Sequence, residues 1–361
     1  RDDVESRGLG DVYKRQLLTM ALAGNVQAAE IRSVGPDGEA AVDASTIELT
    51  DDQIAQIKEG GYTAAICLHY GGNDWSTSQQ KGLEDTFGEL GIEIVAVTDA
   101  NFSAETQVSN IETVMAKKPD ILVSIPTDAT ATADAYKQAA AAGIKIVFMD
   151  QRANGLEAGK DYVSVVSADN YGNGYASGTV LGDALGGKGK VAMVYYDANF
   201  APTNQRDEGF RDAMKNYPDI EIVTEQGFTD ESGCAEQGDA ILTQFPNIDG
   251  IYASWDVPME GVLSAVRAAG MEGKVTLACN DLGNNVAREI ASGNIAGGGA
   301  QMPYDQGVAE AKLAALALLG EETPSYVAVP AETVTHENVL EAYTDVYHVE
   351  TPDWLKEAYV E

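Results

Sequence analysis

The chain has 361 residues, 44% apolar and 22% charged, enough for about two domains with real cores. Its 57 acidic residues outnumber 23 basic ones, and a formal charge of −34 repels phosphate backbones and excludes nucleic acid as a partner. No apolar run reaches the ~18 residues that span a bilayer, and the 37 glycines and 11 prolines punctuate the chain as turns rather than disorder.

Residues 1–29 are set apart. Leu17–Ala23 is a short apolar run, followed by the small residues of Val26-Gln27-Ala28-Ala29. This is the end of a cleavable secretory leader, truncated and preceded by artefactual sequence that is too acidic for a leader's basic start. With no cysteine at the cleavage point, a free periplasmic product is expected, not a lipid-anchored one. Residues 30–60 form an acidic N-terminal extension, with a helix starting at Thr50 and stopped by Gly60-Gly61. From Thr63 a βα alternation begins. Thr63–His69, Ile92–Val97, Asp120–Ile125 and Ile144–Met149 are β-branched runs, separated by helical segments such as Ser76–Leu90 and Ala104–Lys117. The scheme repeats with strands at Tyr162–Val166, Lys190–Tyr195, Ile220–Glu225, Asp249–Ala253, Lys274–Cys279 and Ile295–Ala300. The fold class is α/β, with two doubly wound parallel-sheet lobes. Residues 350–361 read as a polar tail. Cys67, Cys234 and Cys279 are expected as buried thiols, with a Cys234–Cys279 bridge left open.

Ligands of open α/β sheets meet the chain beyond the C-terminal ends of strands. The residues there are His69, Asn73 and Trp75; Asp150 and Arg152; Arg206; Trp255; Asp281; and Gln301. Asp, Asn, Gln and Arg together both accept from and donate to hydroxyls, and an indole face covers the apolar side of a ring. That mixture suits an uncharged polyhydroxyl solute. Enzyme constellations are missing: no Gly-x-Ser-x-Gly elbow, no P-loop Ser/Thr after the lysine in Gly186–Lys190, and no Cys/His set with metal-ligand spacing. No cofactor and no metal are expected. Gly172, Gly174 and Gly178 read as a close helix contact, not as a dinucleotide loop.

Asn73-Asp74-Trp75-Ser76, Ile125-Pro126-Thr127-Asp128, Ala142-Gly143-Ile144 through Met149-Asp150, Arg206-Asp207-Glu208-Gly209-Phe210, Ser254-Trp255-Asp256, Asn280-Asp281 and Ala300-Gln301-Met302-Pro303 occur in that order. In motif order and spacing the chain resembles the periplasmic substrate-binding proteins of the ribose-binding type, which serve ABC sugar importers. It departs from them at Gln151, which intervenes before Arg152, and at Trp255, which replaces a small amide. The resemblance implies a type I periplasmic binding fold whose lobes are joined by a three-segment hinge near Ala168, Gln301 and Ala331. The N-terminal lobe would comprise 61–167 and 302–330, and the C-terminal lobe 168–301 and 331–349. It further implies a monomer that takes a sugar or polyol between closing lobes, without chemistry, and delivers it to importer membrane subunits. His69, Asn73, Asp150, Arg152, Arg206, Asp281 and Gln301 would contact hydroxyls, while Trp75 and Trp255 would form walls. The alternative is a receptor presenting a sugar or autoinducer-like signal to a chemoreceptor or sensor kinase.

Overall fold

The computed structural model describes residues 30–360; the leader expected over residues 1–29 lies outside them. The strands are Val42–Asp43 (β1), Thr63–Leu68 (β2), Glu93–Asp99 (β3), Ile121–Ser124 (β4), Lys145–Met149 (β5), Ser164–Ala168 (β6), Lys188–Tyr196 (β7), Asp219–Phe228 (β8), Gly250–Ala253 (β9), Thr276–Cys279 (β10), Gly297–Ala300 (β11), Tyr326–Val329 (β12) and Glu332–Thr335 (β13). The helices are Asp51–Gly60 (α1), Asp74–Leu90 (α2), Ala104–Ala116 (α3), Ala133–Ala141 (α4), Asn170–Ala184 (α5), Ala201–Met214 (α6), Cys234–Gln244 (α7), Asp256–Ala268 (α8), Asn284–Ala291 (α9), Pro303–Leu318 (α10), Val339–Tyr347 (α11) and Asp353–Ala358 (α12). Among the described residues no helix is long and apolar enough to cross a membrane.

Two sheets form, each covered by helices on both faces. The first has the order β1-β12-β6-β5-β4-β2-β3 and the second β13-β11-β10-β9-β7-β8. Every pairing is parallel except β11 with β13. Parallel strands buried on both faces need apolar residues at every position, hence Ile121, Leu122 and Val123 in β4 with no exposed surface. Each sheet supports one core per face, the first sheet's built around Ile66 and Leu83 on one side and Tyr136 and Phe148 on the other. The chain passes between the lobes three times: from β6 into α5, from β11 into α10, and from β12 into β13.

Residues 30–60 are woven into this body. β1 adds an edge strand beside β12, and Ile47 and Ile57 are buried in the first lobe's core. Ahead of β1, the Arg32 and Ser33 amides donate to the Asp169 carboxylate at the start of α5, at 3.0 and 2.8 Å. The segment therefore touches both lobes on the hinge side. Residues 350–361 correct the reading of a polar tail. They carry α12, whose Leu355 is fully buried in the second lobe's core with Trp354 packed beside it. Leu355, Trp354, Ala358 and Tyr359 fix the segment to that core. All three cysteines are free and buried.

Candidate functional site

The first lobe contributes the exits of β2 and β5. Asn73 caps α2, its Oδ1 accepting from the Ser76 amide at 2.7 Å, so Trp75 is carried on the first helical turn. Asp150 follows β5 and sits at φ 52°, a left-handed conformation that aspartate tolerates better than most residues. The second lobe mirrors this with Asp281 after β10 at φ 69°. Each left-handed turn keeps the backbone bonded to the sheet, Asp150 N to Val166 O at 2.7 Å and Asp281 N to Gly299 O at 2.9 Å. The two carboxylates thereby face the cleft instead of capping the next helix. Arg206 lies on α6, pressed against α5. A side chain at Gly174 would place its Cβ 1.8 Å from the Arg206 carbonyl oxygen, so only glycine allows this approach. Gln301 follows β11 at a lobe crossing.

Eight of the nine residues expected at the site line one cavity between the lobes: His69, Asn73, Trp75, Asp150, Arg206, Trp255, Asp281 and Gln301. A continuous polar chain joins six residues across the lobes. Trp75 Nε1 donates to Gln301 Oε1 at 3.2 Å, and Gln301 Nε2 donates to Asp281 Oδ1 at 2.8 Å. Arg206 then bridges Asp281 Oδ2 at 3.0 Å and Asn170 Oδ1 at 2.8 Å. Asn170 Nδ2 reaches Asp150 Oδ1 at 3.4 Å. Arg206 is only 5% exposed and, among the described residues, is the one cation lining the cavity, against the carboxylates of Asp150, Asp256 and Asp281. Burial pushes the Asp150 carboxyl up, opposed by Arg206. Burial also pushes Asp256 well above its ordinary range, and the facing Asp281 adds to the effect.

Arg152 corrects the ninth expectation. It does not line the cavity; its guanidinium forks onto the Asp37 carboxylate at 2.7 and 2.9 Å and donates to Leu156 O. After the left-handed Asp150, Gln151 turns inward instead. Its amide donates to Pro126 O at 2.8 Å, and its Oε1 accepts from Ala201 N of the other lobe at 3.1 Å.

Aromatic rings make up a large part of the walls, and several were not read from the sequence. Tyr70, Phe102, Tyr196 and Phe200 line the cavity beside Trp75 and Trp255. His69 stacks on Phe200 with ring centres 5.6 Å apart and meets Trp75 edge-on at 5.6 Å. Tyr196 meets Trp255 edge-on at 5.6 Å. The Trp255 indole is anchored behind the wall, Nε1 donating to Glu231 Oε1 at 2.8 Å. His69 is fully enclosed, which drives its pKa down to about 3 and keeps the ring neutral, and its Nδ1 has no partner. Tyr196 ends β7 and was within reach of the strand-exit rule. Phe102 and Phe200 come from loops, and nothing in local sequence aims them at the cleft.

The lobes also touch at the cleft's edge. Asp74, at the start of α2, accepts from Asn284 N at 2.7 Å and Asn284 Nδ2 at 2.8 Å, at the start of α9 in the other lobe. Two α/β lobes gripping a pocket of polar tips and aromatic walls define a solute-binding clamp. The chain matches the periplasmic binding protein domain over residues 61–322 and belongs to that family. It is 29% identical to the D-ribose/D-allose-binding protein of Pseudomonas aeruginosa, over 73% of this chain and 83% of the relative. It is 24% identical to the ribose import binding protein of Salmonella typhimurium, over 75% and 90% respectively. A solute-binding protein of an ABC transporter from Actinobacillus succinogenes, solved with D-allose, superposes with a TM-score of 0.72 at 29% identity, covering 78% of this chain and 99% of that one. One from Agrobacterium vitis, bound to α-D-tagatopyranose, gives 0.74 at 26% identity, covering 81% and 100%. The family is one of binding components of sugar transport, not of enzymes.

Proposed function

We propose that this protein captures a monosaccharide or polyol in the periplasm, between its two lobes, and delivers it to the membrane subunits of an ABC importer as a monomer. The observation that carries the reading is the polar chain from Trp75 to Asp150, which draws on both lobes and whose members other than Asn170 line one cavity. Carboxylates and amide oxygens there accept from hydroxyls, while Arg206 and the amide nitrogens donate. Trp75 and Trp255 offer faces to the apolar side of a sugar ring. A solute touching both lobes favours their closed arrangement by its differential affinity for it. The relatives' named solutes, ribose and allose, set the size class. The test is a thermal-shift and calorimetric screen of pentoses, hexoses and polyols on the full chain, because a solute that binds only the folded state raises the melting temperature by mass action. Binding that Trp75→Ala or Asp150→Ala abolishes supports the reading. No shift with any sugar or polyol, together with a shift from an amino acid, would refute it.

A further inference from the structure

The cleft is rich in acceptors and poor in cations. Three carboxylates line it against one guanidinium, and that guanidinium is already paired with Asp281. The second cation expected from the sequence, Arg152, is spent on Asp37 outside the cavity. Asp256 is the carboxylate left over. Its Oδ1 accepts from its own helix at Val257 N (2.8 Å) and its Oδ2 from Gly283 N (3.0 Å). The charged groups that bear on it are Asp281, Asp74 and Glu260, all of its own sign, and among the described residues it makes no ion pair. The neutral, buried His69 lines the same cavity, with Nδ1 unpartnered. Tyr70, Trp75 and Trp255 line the same cavity, and Tyr70 and Trp75 meet His69 edge-on.

A desolvated carboxylate with no counter-ion is relieved by taking up a proton or by a cation beside it. Aromatic walls favour the second route, since a desolvated ammonium is attracted to ring faces as well as to the carboxylate. Resting on the reading of this cleft as the sugar site, we propose that it prefers amino sugars: an ammonium in place of one hydroxyl would sit at Asp256, with aromatic rings about it. The ammonium's three donors match the surplus of acceptors, while a hydroxyl in the same place has one donor and leaves the carboxylate's charge uncompensated.

The experiment is calorimetry on the full chain with D-glucosamine, D-galactosamine and D-mannosamine, each beside its parent hexose and its N-acetyl derivative. At least one amine is expected to bind tenfold or more tighter than its parent. Acetylation, which removes the charge and keeps the nitrogen, is expected to erase that gain. Asp256→Asn should bring amine and parent to equal affinity. Parents that bind as tightly as their amines, or a preference that survives acetylation, would overturn the inference and leave sugar capture standing. The wild-type comparison decides this even if Asp256→Asn folds poorly. A preference intact in a folded Asp256→Asn protein would overturn the assignment to Asp256. If no sugar binds, charged or neutral, the sugar reading itself fails.

Discussion

Arg206 sits where one substitution has a calculable consequence. Its guanidinium is buried between Asp281 and Asp150, donates to Asn170 Oδ1 and to Ser254 O, and holds the second lobe's half of the cleft together. Arg206→Met keeps most of the apolar stem and removes only the charge and the donors. Breaking a buried pair by deleting one partner costs about 3–5 kcal/mol, mostly because the other charge stays behind unpaired. Here two carboxylates are left and only one is reached by Gln301, so the upper part of that range applies. In a lobe of this size the loss lowers the unliganded melting temperature by about 10 °C. Asp281→Asn on top of Arg206→Met removes one stranded charge while keeping an oxygen for Gln301 Nε2, so the double variant should be more stable than the single one. The assay is thermal unfolding followed by calorimetry and by tryptophan fluorescence at neutral pH. An Arg206→Met melt within 2 °C of wild type, or a double variant less stable than the single, would refute the claim that this guanidinium compensates buried carboxylates.

Asp74→Ala removes the two bonds to Asn284 that span the cleft at its exposed edge, so solute affinity should fall about fivefold, equivalent to ~1 kcal/mol, with the unliganded melt unchanged; calorimetry reads both. Arg152→Ala should leave solute affinity within twofold, because its side chain serves Asp37 and not the cavity; a loss beyond tenfold in the same titration would restore it to the site. Stability should rise as pH falls from 8 to 5. Burial raises the carboxyls of Asp150, Asp207, Glu231, Asp256, Glu310 and Glu332, so the native state binds protons more tightly there than the unfolded chain does. Asp207 alone moves from 3.8 to about 6, so its contribution is complete below pH 3.8 and is lost through about pH 6, a swing of about 3 kcal/mol. Asp207→Asn should flatten that part of the melting-temperature profile, and an unchanged slope would contradict the shift.

The parallel strands were legible because burial on both faces demands unbroken apolar runs, and Gly91 and Gly143, in left-handed conformations, mark where helices give way to them. β12 and β13, no shorter than β4, escaped notice because the prolines beside them, Pro324 and Pro330, read as loop. α12 is six residues long and hides the same way. At the site, strand exits could be read because they lie at fixed places in the fold. Arg152 could not, because one residue inserted after Asp150 reverses which side chain turns inward. Phe102 and Phe200 face each other's lobes from loops, and a loop's aim depends on how the lobes meet.

That meeting is written into the bond lengths of the polar chain. Its middle links, Gln301 to Asp281, Asp281 to Arg206 and Arg206 to Asn170, run from 2.8 to 3.0 Å and stay within the second lobe and its crossings. Its end links reach the first lobe and are longer, 3.2 Å from Trp75 to Gln301 and 3.4 Å from Asn170 to Asp150. Hydrogen bonds weaken with such lengthening. When the lobes part, the chain should therefore separate at its two ends, leaving Arg206, Asp281 and Gln301 as an ordered half-site with one ion pair intact. The first lobe would keep Trp75 and Asp150 in place through the Asn73 cap and the Ser167 hydroxyl, which donates to Asp150 at 2.9 Å. A solute then meets two preformed halves, and its binding energy goes to joining them rather than to building either.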